Sequence, residues 1–222
     1  MTLILMRHGQ SEANYQNIFT GWLDFPLTKV GVKQAHRVGQ LLQQENIHFD
    51  AAFTSVLSRG ILSTTIVLED VHQLAIPVTK SWRLNERHYG AWQGRNKAEL
   101  AAIYGVEELE KRRRSFKIAP PTATTKISDR RYQSVGAEII PLTESLEDTL
   151  VRVLPLWQDQ IAPLLLADKN VLIVTHGNTM RALMKYIESI SDEAIEKISV
   201  ATGDAIWYEF GEGLKVKNRR EV

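Results

Sequence analysis

The hydrophobic positions of this chain fall into short apolar runs separated by longer amphipathic stretches. The short runs predict strands at residues 2–6, 50–54, 77–82, 170–175 and 205–210. Between them, apolar residues recur every three or four positions, which predicts helices over 28–44, 57–68, 145–166 and 179–188. Strands that alternate with helices indicate an α/β fold with a doubly wound, mostly parallel sheet and helices on both faces.

The clearest predicted helix covers residues 145–166. Ser145 and Asp148 have the spacing of a capping box, with aspartate in place of the usual glutamate. Pro155 and Pro163 lie inside this helix. Because proline lacks the backbone N–H that a helix interior needs, they predict a kink or a break at these positions.

Residues 97–143 interrupt the alternation of strands and helices. This segment begins with a helical pattern over 97–116, passes through Pro120 and Pro121, and continues as a polar stretch without a period. A long non-strand segment between core elements is often functional. We therefore predict a helical and loop lid insertion within one domain of residues 1–222. A disordered surface insertion is the alternative.

Composition narrows the class of protein. The 222 residues are 44% hydrophobic and 24% charged, as expected of a single globular domain. The absence of cysteine excludes disulfides, thiolate zinc sites and a cysteine nucleophile. A net charge of +1 gives no general attraction to nucleic acid or to an anionic membrane. Neither a signal peptide nor a membrane span is recognised, so a cytoplasmic protein is expected.

Two histidines follow predicted strands in matching contexts. Arg7, His8 and Gly9 come after the first strand, and His176 and Gly177 come after the fourth. Ligands of parallel sheets bind beyond the carboxyl ends of the strands, so both histidines are expected in one crevice. The helix that follows each glycine offers free N–H groups to an anion. Two ordinary structural histidines are the weaker alternative.

Arginine and glutamate at the same predicted edge favour phosphoryl transfer. Arg7 and Arg59 carry guanidinium groups that match phosphate oxygens. Their charge should keep His8 neutral and nucleophilic. Glu86, after the third strand, is the candidate general acid and base, although composition alone would make it a surface ion pair. No histidine pair with metal-binding spacing and no nucleotide-phosphate loop is present, so no metal site is predicted.

Longer motifs surround these residues. They are RHGQSEAN at 7–14, FTGW at 19–22, TSVLSR at 54–59, RLNERHYGAWQGRNKAE at 83–99, RRSF at 113–116, PP at 120–121, TESLEDT at 143–149 and HGNTMRAL at 176–183. Together they resemble the histidine phosphatase, or phosphoglycerate-mutase-like, superfamily, from residue 3 to about residue 210. More narrowly, the block at 83–99 is similar to the 2,3-bisphosphoglycerate-dependent phosphoglycerate mutases.

The resemblance implies an enzyme that interconverts 3- and 2-phosphoglycerate, with 2,3-bisphosphoglycerate as priming phosphoryl donor and no metal. It implies that His8 is the phosphorylated nucleophile, that Glu86 transfers protons and that His176 stabilises the phosphoryl group. The implied ligands of that phosphoryl group are Arg7, Asn14, Arg59 and Asn178, and Gly9, Ser11 and Gly177 are further implied substrate-binding residues. The implied ligands of the substrate's carboxylate and second phosphate are Thr20, Gly21, Arg87, His88, Tyr89, Lys97, Arg113 and Arg114.

Some positions depart from the family's usual pattern. Gln10 stands where glutamate is usual, Ala13 where tryptophan is usual, and Ala201 where proline is usual. Residues 215–222 are expected to be a short basic tail, where many family mutases have a longer one over the site. A short tail would let water reach phosphohistidine and favour a phosphatase.

Three functions therefore compete. The mutase is preferred, a phosphatase of the same fold that acts on small metabolites is second, and a catalytically inactive relative that binds phosphoesters or a protein is third. Retention of His8, Glu86 and His176 argues against the inactive relative. The expected partner is a small phosphorylated substrate, with no nucleic acid and no membrane. A homodimer or homotetramer is compatible with the resemblance, but no self-complementary face can be recognised.

Overall fold

The computed structural model describes all 222 residues and is built on a single six-stranded sheet. The strands are β1 Thr2–Arg7, β2 Ala51–Thr54, β3 Val78–Lys80, β4 Val171–Thr175, β5 Ala205–Phe210 and β6 Val216–Glu221. Their order is β3-β2-β4-β1-β5-β6. The first four in this order pair in parallel, whereas β5 is antiparallel to β1 and β6 is antiparallel to β5. The mostly parallel α/β sheet that the sequence predicts is thereby confirmed.

Helices cover both faces of this sheet. They are α1 Glu12–Tyr15, α2 Lys29–Gln44, α3 Ser58–Asp70, α4 Lys97–Tyr104, α5 Val106–Arg114, α6 Leu146–Leu156, α7 Ala162–Leu166, α8 Gly177–Glu188 and α9 Asp192–Lys197. Successive side chains of a strand point to opposite faces. In β1, Leu3 and Leu5 join the core under α6 and α8, and Ile4 and Met6 join the core under α2 and α3. The continuous apolar runs of the sequence reflect this burial from two sides.

Side-chain caps begin the long helices where the sequence predicts. The Thr28 hydroxyl accepts a hydrogen bond from the Gly31 N–H at 3.0 Å at the start of α2. At the start of α6, the Asp148 N–H donates to the Ser145 hydroxyl at 3.0 Å, and the Ser145 N–H donates to the Asp148 carboxylate at 2.9 Å. Both bonds of the predicted capping box are therefore present.

The two prolines of the predicted 145–166 helix coincide with a wider turn rather than a full break. Trp157–Ile161 forms a π-helical turn between α6 and α7, and the Ala162 N–H donates to the Trp157 carbonyl. Neither Pro155 nor Pro163 can donate to the carbonyl four residues earlier, which weakens the α-helical ladder on both sides of that turn.

The 97–143 segment begins with two short helices, α4 and α5, instead of one. Gly105 separates them at φ 83°, a left-handed conformation that glycine adopts without a steric penalty. Leu100 of α4 and Leu109 of α5 pack in a small core with Trp92. After α5 the chain is irregular apart from a 3-10 turn at Arg130–Tyr132. The lid role of the segment stays a prediction.

The expected basic tail at 215–222 is wrong, because most of it is strand β6. Tyr208 of β5 pairs with Arg219 of β6, and the Val222 N–H donates to the Ala205 carbonyl. An edge strand can be polar on both faces, so β6 has none of the alternation that predicts strands. None of the helices has both the length and the apolar character that crossing a membrane requires.

Candidate active site

The two histidines of the sequence analysis lie side by side at the carboxyl ends of adjacent strands. Arg7, the last residue of β1, is in register with Thr175, the last residue of β4. His8 and His176 follow immediately, and their ring centroids are 4.8 Å apart with the planes 62° from parallel. Both rings are buried. The pairing of β1 with β4 therefore creates the centre of the site.

His8 is held in one tautomer and in its neutral form. Its Nδ1 lies 2.6 Å from the Gly9 carbonyl oxygen, and a carbonyl can only accept, so Nδ1 carries the proton. Burial lowers the pKa of His8 well below its usual value, and the charges of Arg59 and Arg7 lower it further. Nε2 therefore has a free lone pair at neutral pH, as a nucleophile requires.

His176 is also neutral, and its hydrogen bonding leaves one nitrogen free. Nε2 lies 2.8 Å from the Ser55 hydroxyl, whereas the buried Nδ1 has no partner within the protein. Burial lowers the pKa of His176, with further lowering by Arg59. Because the Ser55 hydroxyl accepts from the Leu57 N–H at 3.2 Å, its own proton can go to Nε2, and Nδ1 then carries a proton that has no acceptor within the protein. Gly60 makes room here, since a Cβ on it would lie 2.6 Å from the Ser55 hydroxyl.

Arg7 and Arg59 are anchored by backbone carbonyls. Arg59 donates to the carbonyls of Leu23 and Gly21, both at 2.9 Å, and Arg7 donates to the Val200 carbonyl at 2.6 Å. Burial lowers the pKa of both, that of Arg59 to about 10, so both remain charged at neutral pH. Anchored guanidinium groups keep further N–H donors for an anion and lose little freedom when they bind it.

Glu86 is held by two backbone N–H groups. Its Oε1 accepts from the Arg87 N–H at 2.7 Å and from the Asn178 N–H, in the first turn of α8, at 3.2 Å. The loop of Glu86 is itself fixed by Arg152, which donates to the carbonyls of Asn85 and Glu86 at 2.8 and 3.0 Å. Arg152 supports the site from α6, and its sequence pattern gave no sign of this.

His8, Arg7, Arg59 and Glu86 open onto one cavity at the carboxyl edge of the sheet. Six cationic side chains line it, and Glu86 is its only acidic side chain. That balance suits a ligand with several negative charges. The candidate residues of the sequence analysis that line the cavity are Arg7, His8, Asn14, Thr20, Gly21, Arg59, Glu86, Tyr89, Lys97, Arg113, Arg114, Gly177 and Asn178.

Five other candidates lie behind this lining. His176 packs against His8, and Ser11 accepts the Asn14 N–H as the cap of α1. Gly9 lies so close to the Gly31 carbonyl that a Cβ would be 2.1 Å from its oxygen. The other two, Arg87 and His88, are buried and engage the protein backbone.

Some lining residues were missed by the sequence analysis. Arg181, from α8, is the most polar of them and is buried. An arginine on an amphipathic helix is usually solvated, so its composition and spacing gave no signal. The others are Ile18, Phe19, Ser199 and Val200. No group of three or more histidine or carboxylate side chains lies where it could hold a metal ion.

An α/β sheet with a neutral histidine among anchored arginines defines a phosphoryl-transfer class, and comparison with known proteins gives the family. The chain belongs to the histidine phosphatase superfamily (branch 1), whose family model matches residues 3–220. It is 49% identical over 225 residues to 2,3-bisphosphoglycerate-dependent phosphoglycerate mutase 2 of Lactiplantibacillus plantarum, covering 99% of this chain and 98% of that protein. It is 50% identical over 218 residues to the 2,3-bisphosphoglycerate-dependent phosphoglycerate mutase of Staphylococcus carnosus, covering 96% of each.

Two solved structures with the same fold are more distant in sequence. Bacillus stearothermophilus YhfR superposes with a TM-score of 0.74 at 24% identity, covering 96% of this chain and 92% of that one. A mycobacterial glucosyl-3-phosphoglycerate phosphatase has a TM-score of 0.74 at 21% identity, covering 99% and 96%. At these identities the likeness establishes the fold alone.

Proposed function

We propose that this protein is a 2,3-bisphosphoglycerate-dependent phosphoglycerate mutase, which interconverts 3-phosphoglycerate and 2-phosphoglycerate. The observation that carries the proposal is the identity of about one half, over the whole chain, to proteins of that name. The site geometry supports phosphoryl transfer through His8, but it would also serve a phosphatase of the same fold. The sequence relationship therefore selects the mutase.

In this mechanism His8 Nε2 attacks phosphorus, so that an N–P bond forms while the P–O bond to the donor breaks. Glu86 gives a proton to the departing oxygen and takes one from the hydroxyl that later attacks phosphohistidine. Arg7 and Arg59 would neutralise the charge of the transferring group, and His176 Nδ1, which has no acceptor within the protein, would donate to one of its oxygens. Positioning and charge do most of the work in such transfers.

A second group of residues would hold the far end of the substrate. Thr20 and Tyr89 line the cavity, and the cations Lys97, Arg113 and Arg114 line it from α4 and α5. Their charges suit a carboxylate and a second phosphate. The same cations fit 2,3-bisphosphoglycerate, which supplies the first phosphoryl group when it is bound. The proposed lid role of 97–143 thus rests on its contribution of three cations.

The decisive test is turnover of 3-phosphoglycerate with 2,3-bisphosphoglycerate and a chelator present, with phosphate release followed in the same tube. Fast isomerisation with little free phosphate is expected. Phosphate release without isomerisation would replace the mutase by a phosphatase, and loss of activity on chelation would contradict metal independence. The matched His8→Ala protein should form no phosphoenzyme and show neither activity; a function that survived this change would indicate a binding protein.

A further inference from the structure

The carboxyl-terminal turn of α5 is tied to the protein by its carbonyl groups. The last carbonyls of a helix have no partner within the helix. Arg87 donates to the Arg112 carbonyl at 3.2 Å and to the Arg113 carbonyl at 2.8 Å. Arg181 donates to the next carbonyl, that of Arg114, at 3.0 Å. Three successive carbonyls of this turn therefore accept from two guanidinium groups.

Both donors are buried and fixed from other directions. Arg87 is 0% exposed, and its guanidinium carbon lies 4.8 Å from the centre of the Tyr89 ring. Arg181 is 3% exposed and also donates to the Asn178 side chain at 2.9 Å and to the Ile195 carbonyl at 2.6 Å. The end of α5 is thus connected to the loop that carries Glu86 and to α8, which begins beside His176.

Two side chains of this turn, in contrast, face the cavity. Arg113 and Arg114 line it, keep about a third of their surface exposed and pair with Glu110 at 2.9 and 3.4 Å. A long arginine side chain on a free helix end would lose much rotational freedom on binding. Fixing the backbone beneath it reduces the volume that its guanidinium can explore before a ligand arrives.

We propose that Arg87 and Arg181 are positioning residues: they hold the carboxyl-terminal turn of α5 by its carbonyls and thereby present Arg113 and Arg114 to the distal anionic group of the substrate. This rests on the proposed function for the identity of that substrate. It differs from the expectation that Arg87 contacts substrate directly, because Arg87 is fully buried and does not line the cavity.

Arg87→Met gives the clearest test, because both hydrogen bonds of the Arg87 side chain go to α5 carbonyls. In ligand-free protein, amide hydrogen exchange in residues 106–116 should accelerate about tenfold or more, because the loss of two charge-assisted hydrogen bonds makes local opening of this segment easier. Arg87→Lys, which keeps a donor, should restore part of the protection. Arg130→Met, a change of the same kind at an exposed site, should leave exchange in 106–116 unchanged.

Binding of two probes then separates positioning from simple destabilisation. Affinity of Arg87→Met for 3-phosphoglycerate should fall about tenfold or more, while inorganic phosphate, which needs only the His8 end, should bind as before. When Arg113 and Arg114 are already alanine, adding Arg87→Met should lower the affinity for 3-phosphoglycerate less than about twofold, because the two side chains that Arg87 positions are absent. Arg181→Met should also accelerate exchange in residues 106–116. It should in addition weaken phosphate binding, because the Asn178 side chain loses its hydrogen bond from Arg181.

Wild-type exchange in 106–116 of ligand-free Arg87→Met would overturn the proposal, and so would equal losses for the two probes. An undiminished effect of Arg87→Met in the Arg113, Arg114 background would overturn it in favour of direct contact. If Arg87→Met does not fold, Arg87→Lys is judged by the same three measurements. The exchange measurement needs no substrate, so it would stand even if the mutase assay failed.

Discussion

His8 and Glu86 have opposite hydrogen-bond environments, and the difference suits the roles proposed for them. The single ring N–H of His8, at Nδ1, donates to the Gly9 carbonyl, and Nε2 keeps its lone pair. Glu86 accepts at Oε1 from the N–H groups of Arg87 and Asn178, while its Oε2 has only a 3.5 Å contact with Asn178. One oxygen therefore fixes the carboxylate and the other remains able to exchange a proton.

Glu86→Gln should separate binding from proton transfer. Glutamine keeps the shape and an acceptor oxygen, but its amide cannot carry the proton, so turnover should fall by about 100-fold or more. Affinity for vanadate or inorganic phosphate at the His8 end should stay within about threefold, since His8, Arg7 and Arg59 are unchanged. Steady-state assays and calorimetry measure the two quantities. Turnover near that of wild type would exclude Glu86 as the proton-transfer residue.

Lys97 should make substrate affinity depend on pH. Burial, with added repulsion from Arg113 and Arg7, lowers the pKa of Lys97 to about 8. Above that pH the ammonium loses its charge, so the affinity for 3-phosphoglycerate should fall between pH 7.5 and 9, where the phosphate is already fully ionised. Calorimetry over this range measures the fall. Lys97→Arg should flatten the profile, because guanidinium stays charged, and a flat wild-type profile would contradict the assignment.

Sequence reasoning predicted which candidate residues lie close together better than it predicted which of them line the cavity. His8 and His176 could be paired because each follows a buried strand, and strand ends meet at one edge of a parallel sheet. Arg87 and His88 belong to the same motif as Glu86, yet they lie behind the lining, since adjacent residues of a loop point in different directions. Arg181 lies within the HGNTMRAL motif, but its type and spacing did not single it out, because burial of a charged residue is a property of the packed structure.

At the scale of elements, α5 is a short helix whose basic last turn contributes Arg113 and Arg114 to the lining of the cavity. Arg113→Ala should raise the KM for phosphoglycerate about tenfold or more, the cost of one charge-assisted contact. It should slow phosphorylation of His8 less, because that step occurs at the other end of the site. Steady-state and rapid-quench kinetics measure the two effects. The exposed Lys111→Ala, on the same helix, is the matched control; equal losses in both steps for Arg113→Ala would refute a distal role.

The break between α4 and α5 permits a test of the segment without touching its cations. Gly105 has φ 83° and ψ 149°, a region that is almost exclusive to glycine, and nothing lies within 4 Å of an added Cβ. Gly105→Ala should therefore cost about 1–3 kcal/mol of backbone strain and raise the KM as α5 shifts. Urea unfolding and kinetics measure the two effects.

Gly213 is the control for that change. It also has positive φ, at 64°, and open space around an added Cβ, but it lies at the β5–β6 connection. Gly213→Ala should lower stability and leave the KM unchanged. If both variants changed the KM alike, the effect would come from global destabilisation and not from the position of α5.

The elements that sequence reasoning found are those with a strong apolar period. Strands β1 and β4 each bury a continuous apolar run, and helix α2 buries one face, so the order of apolar residues along the sequence indicates these elements directly. Strand β6 reads VKNRRE and buries almost nothing, so it depends on pairing with β5, which a local pattern cannot show. The π turn after Pro155 was anticipated only as a disturbance, because proline excludes one hydrogen bond without specifying what replaces it.

For the whole molecule, the site imposes an electrostatic cost on folding. The sheet brings His8, His176 and several arginines to one buried edge, and the histidines can enter it only as neutral rings. His88, behind the same wall, has its pKa lowered to about 4 by burial and by the charge of Arg152. In the unfolded chain all three would titrate near about 6.5. The folded state therefore excludes protons that the unfolded state accepts.

This difference predicts that acid destabilises the protein well before its carboxylates titrate. Below about pH 6.5 the unfolded state binds more protons than the native state, so the free energy of unfolding falls as the pH falls, by up to about 1.4 kcal/mol per pH unit for each buried histidine. For His88 the window closes near its folded pKa of about 4. Carboxylates whose pKa is lowered, such as Asp129 at about 2, act in the same direction only at lower pH.

Urea unfolding at pH 8, 7, 6 and 5 measures this dependence directly. The free energy of unfolding of the wild type should fall progressively below pH 6.5. The slope of this free energy against pH gives the number of protons taken up on unfolding, and His88→Asn should reduce that number by nearly one between pH 6 and 5. Asparagine can still accept the Gly90 N–H that His88 Nδ1 accepts at 3.1 Å, which limits other damage. The two proteins should be compared by the slope of the free energy of unfolding against pH, because a lower stability of His88→Asn at pH 8 would show only that packing was lost. Equal wild-type stability at pH 8 and pH 5, or an unchanged slope in the variant, would mean that the buried histidines do not remain neutral in the folded protein.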